Sequence, residues 1–134
     1  MTHRFHLRVY YEDTDLAGLV YHANYLKFIE RARSEWVREM GIDQAAMKAA
    51  DGTVFVVTRI EADYRAPARY DDLLTVETTI ARATRVRAVF EQTVLRGPDP
   101  LFSALVTVTC VDGAGRPKRL PPVLAEAATA AGNR

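Results

Sequence analysis

The sequence predicts an α+β domain in which a curved antiparallel sheet of about five strands wraps one long central helix. Three observations predict it. Apolar residues recur at helical spacing over a long stretch only between Asn24 and Met40. The residues after Thr53 follow period two instead. The 134 residues, 49% of them hydrophobic, suffice for one core and not two, so residues 1–134 read as a single domain without repeat or linker.

Taken in order, Phe5 to Glu12 alternates as a half-buried strand, with Phe5, Leu7, Val9 and Tyr11 inward. A loop with Asp13, Asp15, Gly18 and His22 follows. In the helix, Tyr25, Phe28, Ile29, Ala32, Trp36 and Met40 share one face. Asn24 is a preferred N-cap type, Gly41 supplies a left-handed stop, and the helix should run about 25 Å. Its N-terminus then faces the loop, with unpaired backbone N–H groups and the positive end of the helix dipole near Asp15, Gly18 and His22. Asp43 reads as the N-cap of a short connecting helix over Gln44–Ala50, closed by Gly52.

From Thr53 the pattern gives a long strand with Val54, Val56, Thr58, Ile60, Ala62 and Tyr64 on one face, and Phe55 and Val57 on the other. The stretch Ala66 to Asp72 turns around Pro67, and Leu74, Val76, Thr78 and Ile80 form the inner face of the next strand. Val86 to Arg96 is another, GPDP at 97–100 is a turn, and Leu101 to Asp112 is the last strand before Gly113 and Gly115. Consecutive strands with short connections predict a meander, with the early strand in or beside it. Phe55, Val57, Val89, Leu95, Leu101 and Leu105 fall on the outer sheet face, which predicts cover by another subunit. The alanine-rich tail, 121–134, reads as a short helix or a frayed end.

Composition excludes several function classes. A formal net charge of +1 with no basic block interleaved with aromatics gives no nucleic-acid surface. The start lacks a secretory apolar core and no run of 18 apolar residues occurs, which predicts a cytoplasmic protein without a transmembrane segment. Cys110, the single cysteine, lies in a strand-like run and reads as a buried inert thiol.

The loop supports more than one chemistry. Asp13 and Asp15 form a D-x-D pair of the kind that holds a divalent cation or marks an aspartyl nucleophile. Only His22 is near in sequence as a further ligand, and an aspartyl-phosphate fold would alternate strands and helices, so no metal is expected. Either aspartate read alone is equally a turn cap.

The run YYEDTDLAGLVYHANYLKFIERARSEW resembles the signature of hotdog-fold acyl-CoA thioesterases of the 4-hydroxybenzoyl-CoA thioesterase family, and most closely its bacterial Tol-Pal-associated acyl-CoA thioesterase branch. A second run, YRAPARYDDLLTVET over 64–78, resembles the family's next strand pair. The resemblance implies the hotdog fold, a homodimer or homotetramer, a place near the inner membrane, and no cofactor beyond the coenzyme A carried by the substrate. An acyl carrier protein is a further implied partner. By position, Asp15 matches the catalytic aspartate, Gly18 keeps the loop close to the helix start, and Tyr11 and His22 match functional positions of the branch. The 4-hydroxybenzoyl enzymes differ at the last two, which favours a short- to medium-chain aliphatic acyl group.

A thioester carbonyl is electrophilic and its thiolate departs readily, so hydrolysis needs an oxyanion site and an activated oxygen. Asp15 supplies the latter as nucleophile or general base, and Tyr11 is expected to position it. The N–H groups of His22, Ala23 and Asn24, with Gly18 behind them, are the expected oxyanion site, and the His22 ring either handles a proton or caps the loop. The phosphates of coenzyme A call for cations; Arg116, Lys118 and Arg119, with Arg85 and Arg87 behind them, are the candidates. Glu30 and Glu35 read as solvated or paired with Arg33 and Arg31. Two other functions fit the same elements. A hotdog hydratase or dehydratase also pairs an acid with a histidine, though closer together than the seven places between Asp15 and His22. A weakly active acyl-carrier or envelope-complex adaptor would keep the fold.

Overall fold

A computed structural model describes residues 1–132, with side chains described to Ala128; Asn133 and Arg134 of the expected tail lie outside the described residues. Five strands form one sheet: β1 (His3–Arg8), β2 (Val54–Tyr64), β3 (Leu73–Ala83), β4 (Arg87–Arg96) and β5 (Asp99–Val111). The helices are α1 (Asn24–Glu39), α2 (Gln44–Asp51) and α3 (Pro122–Gly132). The sheet order is β1-β3-β4-β5-β2 with every pair antiparallel.

The helix α1 forms where its stripe predicts, and Tyr25, Phe28, Ile29, Ala32 and Trp36 are buried. It lies against β1, β3 and β4, and the inner residues Leu74, Val76, Thr78 and Ile80 of β3 are all buried beneath it. Asp43 caps α2 by accepting the Ala46 N–H at 3.0 Å, and Gly52 closes it at φ +77°. The tail is a helix: α3 sets Leu124 and Ala127 into the same core.

Four expectations about placement change. First, β3, β4 and β5 form the meander, but β2 pairs with β5 and not with its sequence neighbour β3, so it lies at the far edge. Second, a bulge at Thr58 shifts the β2 register between Val57 and Arg59. One extra residue inverts the alternation, so Phe55 and Val57 face the same way as Ile60, Ala62 and Tyr64, opposite Cys110, Val108, Val106, Ala104 and Phe102. Third, Leu101 is buried in the core and not on the outer face, because the shift between Val94 and Leu95 leaves it as the unpaired residue of β5. Val89 is also covered within the chain. Fourth, the early strand ends at Arg8, and Tyr11 opens a 3₁₀ turn, Tyr11–Asp13. Tyr11 is therefore 78% exposed rather than inward, and its ring stacks on Tyr70 at 4.6 Å.

The cover of α1 stops short of β2. Val57, Ile60 and Tyr64 on that strand's inner face are 43%, 38% and 52% exposed.

Candidate active site

The two aspartates of the D-x-D pair have different surroundings. Asp13 is buried; one carboxylate oxygen accepts the Tyr10 N–H and the other the Asn24 side-chain amide, each at 2.9 Å. Its carbonyl accepts the Tyr21 N–H at 2.8 Å. These bonds clamp the loop to the start of α1, and they occupy the Asn24 side chain. Asn24 is thus the first helical residue and not the N-cap; that position is Ala23, whose own backbone is already helical. Asp13→Ala strands one buried and one part-buried donor, each bond to the carboxylate being worth about 1.5 kcal/mol. It should lower stability by about 3 kcal/mol and the melting temperature by about 10 °C. Thermal unfolding by circular dichroism measures this, and a wild-type melting temperature would show that the clamp contributes nothing.

Asp15 is exposed. Its Oδ1 accepts the N–H groups of Ala17 at 2.9 Å and Leu19 at 3.2 Å, while Oδ2 bonds no described residue. Asp15 and Leu19 also pair through their backbones at 2.8 Å, which closes a tight loop over Leu16, itself fully exposed. Gly18 sits at φ +79°, a backbone state that a residue with a Cβ rarely adopts, and donates its N–H to the Asp15 carbonyl at 3.0 Å. The loop therefore holds one carboxylate oxygen still and leaves the other open.

At the helix start, the Asn24 N–H donates to the Tyr21 carbonyl at 2.8 Å, so Asn24 is not a free oxyanion donor. Gly18 is likewise engaged. The N–H groups of His22 and Ala23 bond no described residue. The His22 ring is exposed and packs on Tyr21 at 4.6 Å. Tyr64, at the end of β2, donates its hydroxyl to the His22 carbonyl at 2.7 Å. The Tyr64 ring is set edge-on to Tyr25 and Phe102, and Tyr25 in turn accepts the Ala68 N–H at 3.0 Å. Tyr11 makes no contact with Asp15: its carbonyl takes the Thr14 N–H and hydroxyl, and its ring leans on Tyr70.

The expected phosphate-binding cations gather elsewhere. Val111 bridges to Pro117 and pairs with Val54 at the start of β2, Arg87 pairs with Thr109, and the Arg85 carbonyl accepts the Leu120 N–H. Arg85, Arg87, Arg116, Lys118 and Arg119 thus share the Val54 end of the sheet, whereas His22 is tied to the Tyr64 end. The 11 residues of β2 separate those ends by about 30 Å. Lys118 is ion-paired with Asp51, and this pairing holds the Asp51 carboxyl down at about 2. The side chains of Arg85, Arg87, Arg116 and Arg119 bond no described residue. Arg85 and Arg119 line one surface groove, Arg87 lines another, and Arg82 lines both. Arg82 was missed in the sequence because its neighbours there, Ala81 and Ala83, carry no signal. Burial raises the Cys110 thiol pKa, in keeping with an inert role. Among the described residues no cluster of His, Cys, Asp or Glu could hold a metal ion, and no helix is long and apolar enough to cross a membrane.

The profile of the thioesterase superfamily matches residues 17–103. The acyl-CoA thioesterase YbgC of Haemophilus influenzae is 43% identical over 118 residues, covering 87% of each chain. The chain belongs to the thioesterase superfamily. The acyl-CoA thioester hydrolase YbgC of Escherichia coli O6:H1 is 42% identical over 120 residues, 88% of this chain and 89% of that one. Among solved structures, a probable thioesterase from Bartonella henselae superposes with a TM-score of 0.86 at 40% identity, covering 90% of this chain and 100% of that one. A 1,4-dihydroxy-2-naphthoyl-CoA thioesterase from Synechocystis reaches a TM-score of 0.88 at 23% identity over 96% of each chain, a likeness of fold alone. This thioesterase-superfamily chain has the hotdog fold and is a thioester hydrolase.

Proposed function

We propose that the chain hydrolyses a short- to medium-chain aliphatic acyl-CoA to the free acid and coenzyme A. The observation that carries this reading is Asp15, whose carboxylate has one oxygen fixed by its loop and the other open. Asp13, Asn24 and Tyr21 tie that loop to the start of α1, where the N–H groups of His22 and Ala23 are unengaged. The thioester carbonyl oxygen accepts those two N–H groups and gains their stabilisation as it becomes an oxyanion. On the nucleophilic route, Asp15 Oδ2 attacks the carbonyl carbon, the C–S bond breaks with departure of the thiolate, and water hydrolyses the resulting anhydride. On the general-base route, Oδ2 takes a proton from water as the water oxygen attacks the same carbon, and the tetrahedral intermediate then collapses with cleavage of the C–S bond and departure of the thiolate. In this reading the His22 ring, exposed just before the start of α1, serves the thiolate as a proton donor. Tyr11 has no role in this scheme.

Tyr64 is a positioning residue here, because its hydroxyl fixes the peptide carrying one oxyanion donor. Tyr64→Phe should lower kcat about tenfold, about 1.4 kcal/mol of barrier, with KM unchanged and the melting temperature lowered by only a few degrees for the one lost hydrogen bond. Steady-state kinetics with a melting curve checks it; an unchanged kcat would remove Tyr64 from the scheme.

One chain does not make a complete site, since Asp15 and the free arginines lie at opposite ends of the sheet. A dimer joined antiparallel along the β2 edges would set the arginines of the partner beside Asp15 and cover the exposed Val57, Ile60 and Tyr64. Such a dimer, or a tetramer built from it, is the working form in this reading, placed in the cytoplasm. Thiol release from acyl-CoAs of graded length tests the function: turnover that depends on Asp15 supports it, and inertness towards the whole panel refutes it.

A further inference from the structure

We propose that the cavity beneath the second half of α1 receives an aliphatic chain ending in a carboxylate, and that Arg33 binds that carboxylate. The cavity has a volume of about 220 Å³, and its apolar walls include Val37, Phe55, Val57, Phe90, Val108 and Leu124. Arg33 is the single cation and Glu30 the single carboxylate among its lining residues. The guanidinium is held from behind: it donates to Gln92 Oε1 at 2.9 Å. Gln92 is fully buried and commits its amide nitrogen to the Ile29 carbonyl at 2.9 Å and the Thr78 hydroxyl at 3.0 Å. With its nitrogen so engaged, Gln92 presents its oxygen to Arg33 and anchors one end of the guanidinium.

The remaining donors of Arg33 bond no described residue, and no described carboxylate lies within 4.0 Å of it. Glu30, one turn back on the same helix, acts on Arg33 through space only; it is exposed and accepts the Ser34 hydroxyl. Of the two readings of Glu30 and Glu35, solvated or paired with Arg33 and Arg31, Glu30 follows the solvated one, while Glu35 pairs with Arg38 in place of Arg31. Burial lowers the Arg33 pKa. A guanidinium held rigidly against apolar walls gains most from a planar anion that takes two parallel N–H bonds, and a carboxylate is that anion. A dry apolar cavity of about 150 Å³ holds a benzene ring, so this one holds a chain of roughly six to nine carbons.

The carboxylate has two possible sources: the distal end of a dicarboxylic acid carried as its mono-CoA thioester, or a free fatty acid. The first source rests on the thioesterase reading and the antiparallel dimer, which sets the β2 start, with Phe55 and Val57, beside the catalytic loop of the partner. Two measurements separate the sources. One is kcat/KM for adipyl-CoA and suberyl-CoA against hexanoyl-CoA and octanoyl-CoA. The other is calorimetric titration with hexanoate. In wild type we expect at least about a tenfold preference for the diacid thioesters, or saturable hexanoate binding. Arg33→Met should abolish whichever is seen, and Glu30→Gln should strengthen it about threefold by removing a repelling charge. Neither effect in wild type, or an effect that survives Arg33→Met, overturns the inference. Should Arg33→Met fail to fold, Glu30→Gln decides, since it leaves the buried network intact and an unchanged response overturns the inference. Hydrolysis of neutral acyl-CoAs that depends on Asp15, with no preference for the diacid thioesters and no hexanoate binding, would sink this inference alone. Absence of all hydrolysis would sink the thioesterase reading, while the hexanoate titration still tests the cavity.

Discussion

Asp15→Asn should lower kcat for hexanoyl-CoA about 1,000-fold, roughly 4 kcal/mol of transition-state stabilisation. The melting temperature should stay at the wild-type value. The asparagine carbonyl oxygen can still accept the N–H groups of Ala17 and Leu19, so the loop keeps its shape. What disappears is the negative charge on the open oxygen, which both routes require. The substitution therefore separates chemistry from architecture, as Asp15→Ala would not. Rapid quench with intact-mass measurement then distinguishes the routes: an acyl adduct on Asp15 marks the nucleophilic one, and its absence through a full turnover marks the general base.

The second large effect concerns the β2 edge. Val56 is 42% and Ile60 38% exposed, on opposite faces of a strand whose outer edge pairs with no strand among the described residues. Replacing both with lysine places like charges against each other across an antiparallel β2 pair, while a single chain tolerates charge at exposed positions. On the proposed β2-edge dimer, Val56→Lys with Ile60→Lys should give a monomer by multi-angle light scattering and lower kcat/KM about 100-fold or more, because Asp15 would then lack the arginines of the partner. A monomeric variant with wild-type kcat/KM would show that one chain holds a complete site. Phe55 and Val57 are left untouched, so the cavity beneath α1 is not altered by the same change.

Much of this was legible in the residues because it is local. The stripe from Tyr25 to Trp36 specifies α1, the Asp43 and Gly52 caps specify α2, and alternation in β3 specifies its buried face. What failed was non-local or turned on one inserted residue. Nothing near Thr58 announces a bulge, yet it inverts half of β2; the position of β2 beside β5 is decided by pairing across the sheet. The D-x-D pair was ambiguous because both aspartates are plausible turn caps, and only the fold brings Asn24 against Asp13 and leaves Asp15 open. Tyr11 alternated with the core residues, but the chain had already left the sheet at Arg8. Tyr64 read as a strand-face residue and Arg33 as a neighbour of Glu30, because their partners, His22 and Gln92, lie 42 and 59 residues away. The resemblance of Tyr10 to Trp36 to acyl-CoA thioesterases pointed to Asp15, which spacing alone could not single out.

The most direct test of the central claim is the release of free coenzyme A thiol from hexanoyl-CoA by the wild-type protein, with Asp15→Asn measured beside it. Turnover by the wild type, reduced about 1,000-fold in a variant that melts at the same temperature, is the predicted result. Equal release by both proteins, or none by the wild type on any chain length, would contradict it.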